Sequence, residues 1–306
     1  MHFPDAIEIN YAFDNGCRKA KIPASVFVRY EEVPMRSQQE KAAAFRALHE
    51  RPGAFIIPNP WEAGTAKALA ALGFEALATT SSGLAQMLGR ATRVTRAEVI
   101  ENCRVIAEAT DLPVNADLEN CFAHEPEIAV EAIRLAADAG AVGASIEDYT
   151  GDGKDPIYEF DLAVARVRVA VKVAHSLPVP ILLTARAENL IRGRIDMADT
   201  IRRLQAYEAA GADVVYAPGL RNIPEVREVV RTVKRPVNVV TGWLDPDITL
   251  AQLDEAGAKR ISLGGALARH VLATFVRASC DMRNQGSFAW MRDVVGSADL
   301  RTLLGS

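Results

Sequence analysis

Three apolar, strand-like segments of this chain each end in charged side chains: residues 114–119, 145–148 and 182–188. A charged group is costly to bury unless it is paired, so its position in an otherwise apolar run needs a reason. The carboxyl ends of buried parallel strands are where α/β folds place binding and catalytic groups. The pattern therefore indicates a site that carries chemistry.

Asp117 and Glu147 are the candidate ligands of a metal ion. They lie on neighbouring predicted strands, and Glu119 and Asp148 follow them directly. A hard cation takes oxygen ligands, and Mg²⁺ uses few protein carboxylates and keeps several waters. For Glu119 and Asp148 we prefer helix capping or ion pairing as the explanation. Asp117 and Glu147, on the strands themselves, are the predicted ligands.

Arg186 is the candidate for binding an anionic substrate. It lies in an apolar run, and Glu188 follows two residues later and can orient the guanidinium. A planar fork of donors suits a carboxylate or a phosphonate. The alternative is a structural ion pair with Glu147 or Glu188. Ser82 and Gly83 end the second predicted strand with small residues, so backbone amides there can approach an anion closely.

A proton donor is expected on the loop after the fourth predicted strand. Lys154, Tyr149 and Tyr158 lie there, and the glycines of this loop supply the mobility that a closing lid needs. Cys121, with His124 nearby, is an alternative nucleophile. A small buried thiol is the commoner explanation of such a cysteine.

Short strand-like runs alternate with longer segments of helical periodicity from about residue 54 onward, which is typical of repeated βαβ units. Glycines such as Gly140 and Gly211 end a helix before the next strand. Eight strands in this length predict a closed (βα)8 barrel of the TIM type, and a doubly wound open sheet is the alternative. The predicted strands are 54–58, 76–81, 113–118, 143–148, 181–187, 213–218, 236–241 and 260–264. The predicted helices are 96–109, 126–139, 162–175, 197–210 and 224–233.

Segments at both ends of the chain lie outside the barrel. Residues 37–50 predict an extra helix before the first strand, and residues 267–281 and 288–294 predict C-terminal helices. Residues 1–36 are predicted to be a poorly packed extension, with Met35 as the expected native start. The remainder, 37–306, is predicted to be a single barrel domain.

Composition excludes several classes of protein. The chain has 306 residues, 49% of them hydrophobic, which is enough for a sizeable core. A net charge of -4 argues against nucleic acid as a partner. The four cysteines form no CxxC pair, and we find no signal peptide or long apolar run, so a cytoplasmic protein without a membrane partner is expected.

The ordered set of strand-end motifs resembles the isocitrate lyase/phosphoenolpyruvate mutase superfamily, over about residues 45–273. The family's second-strand Ser-Gly-Leu is matched by Ser82, Gly83 and Leu84. The other three motifs are matched at residues 115–117 (Asn-Ala-Asp), 147–148 (Glu-Asp) and 185–188 (Ala-Arg-Ala-Glu). No single motif is specific, but the set in this order is.

The resemblance implies a Mg²⁺-dependent lyase or hydrolase that cleaves a C–C or C–P bond of a small 2-oxo or 2-hydroxy carboxylic acid through a pyruvate enolate. It implies Asn115, Asp117 and Glu147 around the metal, with Arg186 and the Ser82 to Leu84 turn around the substrate. It also implies a homo-oligomer, a dimer or a tetramer, in which the last helix swaps between subunits.

Three departures from the family pattern keep alternatives open. Asn115 replaces an aspartate that normally binds the metal, the loop at 149–158 lacks the cysteine acid of the lyase branch, and residues 89–92 lack the aspartate of the mutase branch. Within the enzymes, a phosphonopyruvate mutase or hydrolase is the alternative. A catalytically silent barrel that binds a carboxylate is the alternative from another class.

Overall fold

The computed structural model describes residues 6–13, 16–23 and 35–305. The first two segments are an antiparallel strand pair, β1 (Ala6–Phe13) and β2 (Gly16–Pro23). The prediction that residues 1–36 pack poorly concerns side chains that mostly lie outside the described residues. It stays a prediction. Arg36, the last residue of that extension, is held by Asp111, whose Oδ2 accepts a hydrogen bond from Nε at 2.7 Å.

Eight parallel strands form a nearly closed barrel, as the sequence predicts. They hydrogen-bond in the order β3-β10-β9-β8-β7-β6-β5-β4, and Ala78 N donates to Pro58 O at 3.0 Å between the two ends of that order. An open doubly wound sheet is thereby excluded. The strands are β3 (Phe55–Ile57), β4 (Leu77–Ala78), β5 (Val114–Asp117), β6 (Gly143–Glu147), β7 (Leu182–Arg186), β8 (Val214–Tyr216), β9 (Val237–Val240) and β10 (Arg260–Ser262).

Helices surround the barrel, and their starts follow local capping chemistry. Ser37 and Thr95 each accept a hydrogen bond from the backbone three residues on, in capping boxes that fix the starts of α1 and α4. Gly140 and Gly211 have φ of 94° and 102°, the left-handed conformation expected where a helix turns into the next strand. The helices are α1 (Gln38–Glu50), α2 (Ala63–Ala71), α3 (Ser81–Met87), α4 (Arg96–Ala109), α5 (Pro126–Asp138), α6 (Phe160–Ser176), α7 (Met197–Ala209), α8 (Ile223–Thr232), α9 (Leu250–Glu255), α10 (Ala266–Gln285) and α11 (Ser297–Leu304).

Helix α1 closes one end of the barrel. Phe45 and Leu48 of α1 are buried in one cluster with Phe55 and Leu182, which begin β3 and β7. This apolar plug fills the amino-terminal end of the strands. The carboxyl ends of the strands, where the charged residues lie, remain as the open mouth.

Helix α10 is longer than predicted and mostly exposed. It runs to Gln285 and ends at Gly286, whose φ of 62° provides a left-handed cap. Its first turns contact α3, and Ala268 of α10 is buried in that contact. Phe275, further along α10, is 67% exposed. Within the described residues, none of the helices combines the length and the apolar character needed to span a membrane.

Candidate active site

A cavity of about 300 Å³ opens at the carboxyl ends of the strands. Among the residues lining it are the predicted site residues Asn115, Asp117, Glu147, Arg186 and Ser82. Glu119 lines it as well. The structure therefore brings most of the predicted charged residues together, although they come from different strands.

Arg186, the last residue of β7, is the centre of the site. Its Nη1 donates to Asp117 Oδ1 at 2.9 Å, and its Nη2 lies 3.1 Å from Glu147 Oε2. Both Nε and Nη2 donate to Glu188 Oε1, at 3.0 and 2.7 Å. Tyr216 packs its ring 4.9 Å from the guanidinium carbon. Arg186 therefore joins three carboxylates. Asp117 and Glu147 end β5 and β6, and Glu188 follows β7.

Glu188 lies behind Arg186 and is fully buried. Its second oxygen, Oε2, accepts from Arg192 Nη2 at 3.1 Å, and the Arg192 guanidinium stacks 3.7 Å from the ring centre of Tyr149. Glu188 does not line the cavity but fixes the Arg186 guanidinium from outside it. Arg192 connects this network to the loop that begins at Tyr149.

Asp117 is held by the start of helix α3. The amide and the hydroxyl of Ser81 both donate to Asp117 Oδ2 at 3.0 Å, and the Asp117 amide donates to Thr79 Oγ1 at 2.9 Å. An anion at a helix N-terminus is favoured by the unpaired amides and the helix dipole. Ser81 is not among the site residues predicted from the sequence, since any βα turn can contain serine.

Burial and neighbouring acids shape the protonation of the site. Burial raises the pKa of Glu147 well above its ordinary value, Glu188 acts in the same direction, and Arg186 opposes both. Burial also raises the pKa of Glu119, and Asp117 adds to that rise. Burial acts to lower the pKa of Arg186, but Glu188 and Glu147 outweigh it and raise that pKa. The site thus holds several acids around the Arg186 guanidinium.

The oxygen donors fit a magnesium ion. Asn115 is buried, and its Oδ1 has no hydrogen-bond partner although its Nδ2 donates to Ala116 O. Among the described residues, no three His, Cys, Asp or Glu side chains are grouped to hold a metal by themselves. Two carboxylates, Asp117 and Glu147, with the unpaired amide oxygen of Asn115, nevertheless match the few protein ligands that Mg²⁺ needs beside water and substrate.

Asp148 points away from the cavity and pairs with Arg203, which agrees with the ion-pairing interpretation of this residue. It accepts hydrogen bonds from Tyr207 Oη at 2.6 Å, from Arg203 Nη1 at 3.2 Å and from the Glu188 amide at 2.8 Å. Burial raises the pKa of Asp148 to about 6. Its contacts link β6 to α7 and to the segment that carries Glu188.

The structure does not bring the predicted proton donors to the cavity. Tyr158 is buried, its hydroxyl lies 2.7 Å from His124 Nδ1, and Arg166 stacks 4.4 Å from its ring centre. Lys154 is exposed at the tip of the loop, where its amide donates to Asp152. In this arrangement neither side chain lines the cavity, so their role as acids stays a prediction that requires the loop to move.

The predicted substrate-binding turn is only partly at the cavity. Ser82 lines it, but Gly83 and Leu84 are buried outside it. The Gly83 amide already donates to Thr80 Oγ1 at 3.2 Å as part of the α3 cap, so it is not available to an anion in this arrangement. The expectation that Gly83 and Leu84 contact substrate is therefore not supported by the geometry.

Arg260 and Asn238 also line the cavity, and neither is predicted from the sequence. Arg260 is buried, and burial lowers its pKa to about 9. Its Nε donates to Asn238 Oδ1 at 2.7 Å, and its Nη1 lies 3.5 Å from His49 Nε2. His49 Nδ1 donates to Phe45 O at 2.8 Å, so the plug helix α1 supports the floor of the cavity. Arg260 begins a short strand, and its inward direction depends on a register that the sequence does not display.

Comparison with known proteins gives a consistent family. The family model described as phosphoenolpyruvate phosphomutase matches residues 45–283. A protein from Burkholderia cenocepacia J2315, assigned as a lyase/mutase, has a crystal structure with 50% identity and a TM-score of 0.86, covering 88% of this chain and 97% of that one. The 2-methylisocitrate lyase of Halalkalibacterium halodurans is 27% identical over 74% of this chain and 76% of its own. Phosphonopyruvate hydrolase, in a structure with oxalate and Mg²⁺, has the same fold at 21% identity, with a TM-score of 0.76 over 87% of this chain and 95% of that one.

The buried histidine at the floor makes stability depend on pH. Burial, with a smaller contribution from Arg260, lowers the pKa of His49 from 6.5 to about 3. The unfolded chain therefore binds a proton at His49 below pH 6.5 while the folded protein does not, so stability falls as pH decreases through this window. We expect wild type to lose about 2 kcal/mol more than His49→Gln between pH 7.5 and pH 5.

Urea denaturation at the two pH values measures this difference. Ile128→Ala, an exposed change on α5 that leaves every titratable group in place, is the control and should follow wild type. Equal pH dependence in wild type and His49→Gln would show that His49 is not held neutral.

Proposed function

The chain belongs to the phosphoenolpyruvate phosphomutase family, and from that premise we propose a Mg²⁺-dependent lyase or hydrolase. It would cleave a C–C or C–P bond of a small 2-oxo or 2-hydroxy carboxylic acid through a pyruvate enolate. The phosphomutase family model and the similarity to a 2-methylisocitrate lyase support a lyase-type enzyme. The observation that carries the proposal is the Arg186 network, with Asp117 and Glu147 at the open end of the barrel.

Asp117, Glu147 and Asn115 are the residues that would hold the metal. When bound, Mg²⁺ supplies Lewis-acid polarisation of the substrate's oxo oxygen and neutralises charge that develops there. Mg²⁺ and oxalate are present together in the structure of phosphonopyruvate hydrolase, which has this fold. Asp117 is fixed by Ser81 before any ligand arrives, so the chain supplies that carboxylate already oriented.

Arg186 is proposed to bind the substrate carboxylate. A guanidinium has five N–H donors, and the contacts to Asp117, Glu147 and Glu188 leave one N–H on Nη1. Glu188 holds the group in place, so little conformational entropy is lost when substrate binds. A fixed cation beside a developing negative charge also stabilises that charge more effectively than a mobile one.

The loop at 149–158 is proposed to exclude water and deliver the proton. Its base is tied down, since Thr150 N donates to Pro156 O at 2.9 Å and Tyr158 N donates to Asp148 O at 2.9 Å. Its tip, residues 151–155, is exposed. Arg192 stacks on Tyr149 and reaches Glu188, so movement of this loop is transmitted to the Arg186 network.

Two other functions are distinguished by the reaction products. A phosphonopyruvate mutase or hydrolase is favoured by the fold shared with phosphonopyruvate hydrolase, and it would act on a C–P bond. A silent carboxylate-binding barrel is favoured by Asn115 at a position where the family pattern has an aspartate. The silent barrel would bind acids without turnover.

We expect wild type with Mg²⁺ to convert at least one of oxaloacetate, phosphonopyruvate, methylisocitrate and dimethylmalate, as followed by NMR. Arg186→Ala should lower kcat/KM by at least about 10³, because a charged group that acts in binding and in the transition state is lost. EDTA should abolish turnover. Arg134→Ala, an exposed arginine on α5, is the matched control and should keep wild-type activity.

Turnover that survives EDTA would contradict the metal-dependent reaction. Binding of these acids without any product would favour the silent barrel. Product formed from phosphonopyruvate alone would identify the protein as a phosphonopyruvate mutase or hydrolase, which acts on a C–P bond.

We also propose that the protein is a cytoplasmic homo-oligomer assembled through α10. Val271, Leu272, Phe275 and Val276 are 52, 48, 67 and 49% exposed, and they lie on one long helix beside its contact with α3. An apolar patch of this kind on a soluble surface indicates an interface. A second copy of this chain is the proposed partner, because the chain closes its own barrel without this face.

The three cysteines among residues 35–305 are unpaired, which supports a reducing compartment such as the cytoplasm.

Phe275→Glu is expected to dissociate the oligomer, because it places a charge in the proposed apolar interface. Light scattering after size-exclusion chromatography should give a dimer or tetramer for wild type and a smaller species for this variant. Ile128→Glu, a change at an exposed apolar residue of α5, should leave the mass unchanged. A wild-type monomer would contradict the proposal.

A further inference from the structure

Arg260 differs from Arg186 and Arg203 in its partners. Its three side-chain contacts are to neutral groups: Asn238 Oδ1 at 2.7 Å, Thr184 Oγ1 at 2.9 Å and His49 Nε2 at 3.5 Å. Arg186, by contrast, is paired with carboxylates. Arg203 is paired with Asp148 and Asp199. Arg166, which is also buried and bonds backbone carbonyls, does not line the cavity.

A buried cation without an anion is costly. Desolvation of a charge in a protein interior amounts to several kcal/mol, and hydrogen bonds to neutral groups recover only part of it. The positive charge of Arg260 therefore remains largely uncompensated inside the barrel. Because Arg260 lines the cavity, an anionic ligand could supply the missing partner.

Arg260 lies deeper in the cavity than Arg186. Its Nη2 reaches Thr184, which is two residues before Arg186 on β7. Two residues of a strand correspond to about 6–7 Å along its axis. Arg192 and Arg269 also line the cavity, but Arg192 is paired with Glu188 and Arg269 is exposed. Arg260 is therefore the buried guanidinium at the floor, below Arg186 at the mouth.

The floor is organised before a ligand binds. Asn238 accepts from Arg260 and donates from Nδ2 to Ser262 Oγ at 3.0 Å, so the orientation of its amide is fixed from both sides. His49 and Thr184 hold the other end of the guanidinium. Of the five N–H donors of an arginine, these contacts leave one on Nη1 and one on Nη2.

We propose that Arg260 is a second anion-binding residue at the cavity floor, which binds one of the two anionic groups that the candidate substrates carry. One anionic group of the substrate binds at the level of Arg186 and the other, a carboxylate or a phosphonate, binds at Arg260. This inference rests on the proposed function for the reaction, but the binding of a dianion can be measured without turnover. Arg260 then determines specificity, because it separates two-ended acids from simple monocarboxylates.

Isothermal titration of metal-free protein with three small acids tests the proposal. Succinate has two carboxylates, butyrate has one, and 3-phosphonopropionate replaces one carboxylate of succinate with a phosphonate. Wild type should bind succinate at least about tenfold more tightly than butyrate, as expected for one additional charge-assisted hydrogen-bonded contact. Whichever of succinate and 3-phosphonopropionate binds more tightly identifies the group that the floor prefers.

Arg260→Gln should weaken succinate binding to the level of butyrate and leave butyrate binding unchanged. Lys41→Gln is the control, because Lys41 is also a buried cation, but it bonds the carbonyls of Ala107 and Thr110 outside the cavity. It should keep the wild-type preference for succinate.

Asn238→Asp provides a second test if Arg260→Gln does not fold. It places a carboxylate at the atom that Arg260 Nε already contacts, so the Arg260 guanidinium gains an internal anionic partner. The Asn238→Asp protein should therefore lose the preference for succinate over butyrate. A preference for succinate that persists in either folded variant, or that is absent in wild type, would overturn the proposal. A lost preference in a protein without turnover would support the dianion site and reject only the proposed reaction.

Discussion

The ion network around Arg186 is the interaction on which the rest of the site depends. A single guanidinium meets Asp117, Glu147 and Glu188, which come from three consecutive βα units of the barrel. Each of these acids would be costly to bury alone, and together they would repel one another. Arg186 makes their convergence tolerable, and Ser81 and Arg192 hold the outer members of the cluster. The register of β5, β6 and β7 is therefore set by charge as well as by apolar packing.

The two ends of the barrel have opposite character, and one side chain connects them. At the amino-terminal end, Phe45 and Leu48 of α1 pack with the first residues of the strands. His49 of the same helix contacts Arg260, which belongs to the cavity. The plug thus has a structural role and a second role in positioning the floor of the site. The stability of α1 and the shape of the cavity are coupled through this contact.

The sequence was sufficient to predict the barrel, because eight apolar runs with glycine junctions leave few alternatives, and all eight strands are present. Alternation along β6 also accounts for Glu147 facing the cavity while Asp148 faces Arg203, since neighbouring strand residues point to opposite sides. Arg260 was not predictable in this way, because its strand is three residues long and its inward direction is set by pairing with β9. The contacts of Tyr158 and the cap formed by Gly83 are likewise tertiary features that spacing alone does not reveal.

Asp117, Glu147 and Asn115 are proposed to form a divalent-cation site beside Arg186. Calorimetric titration of the purified protein with Mg²⁺ alone, for wild type and Asp117→Asn, tests it most directly. Asp152→Asn, an exposed change on the loop, is the control. We expect wild type and Asp152→Asn to bind Mg²⁺ with the same affinity and Asp117→Asn to bind it at least about tenfold more weakly. Equal binding by all three proteins, or no binding by any of them, would contradict a magnesium site at the mouth of the barrel.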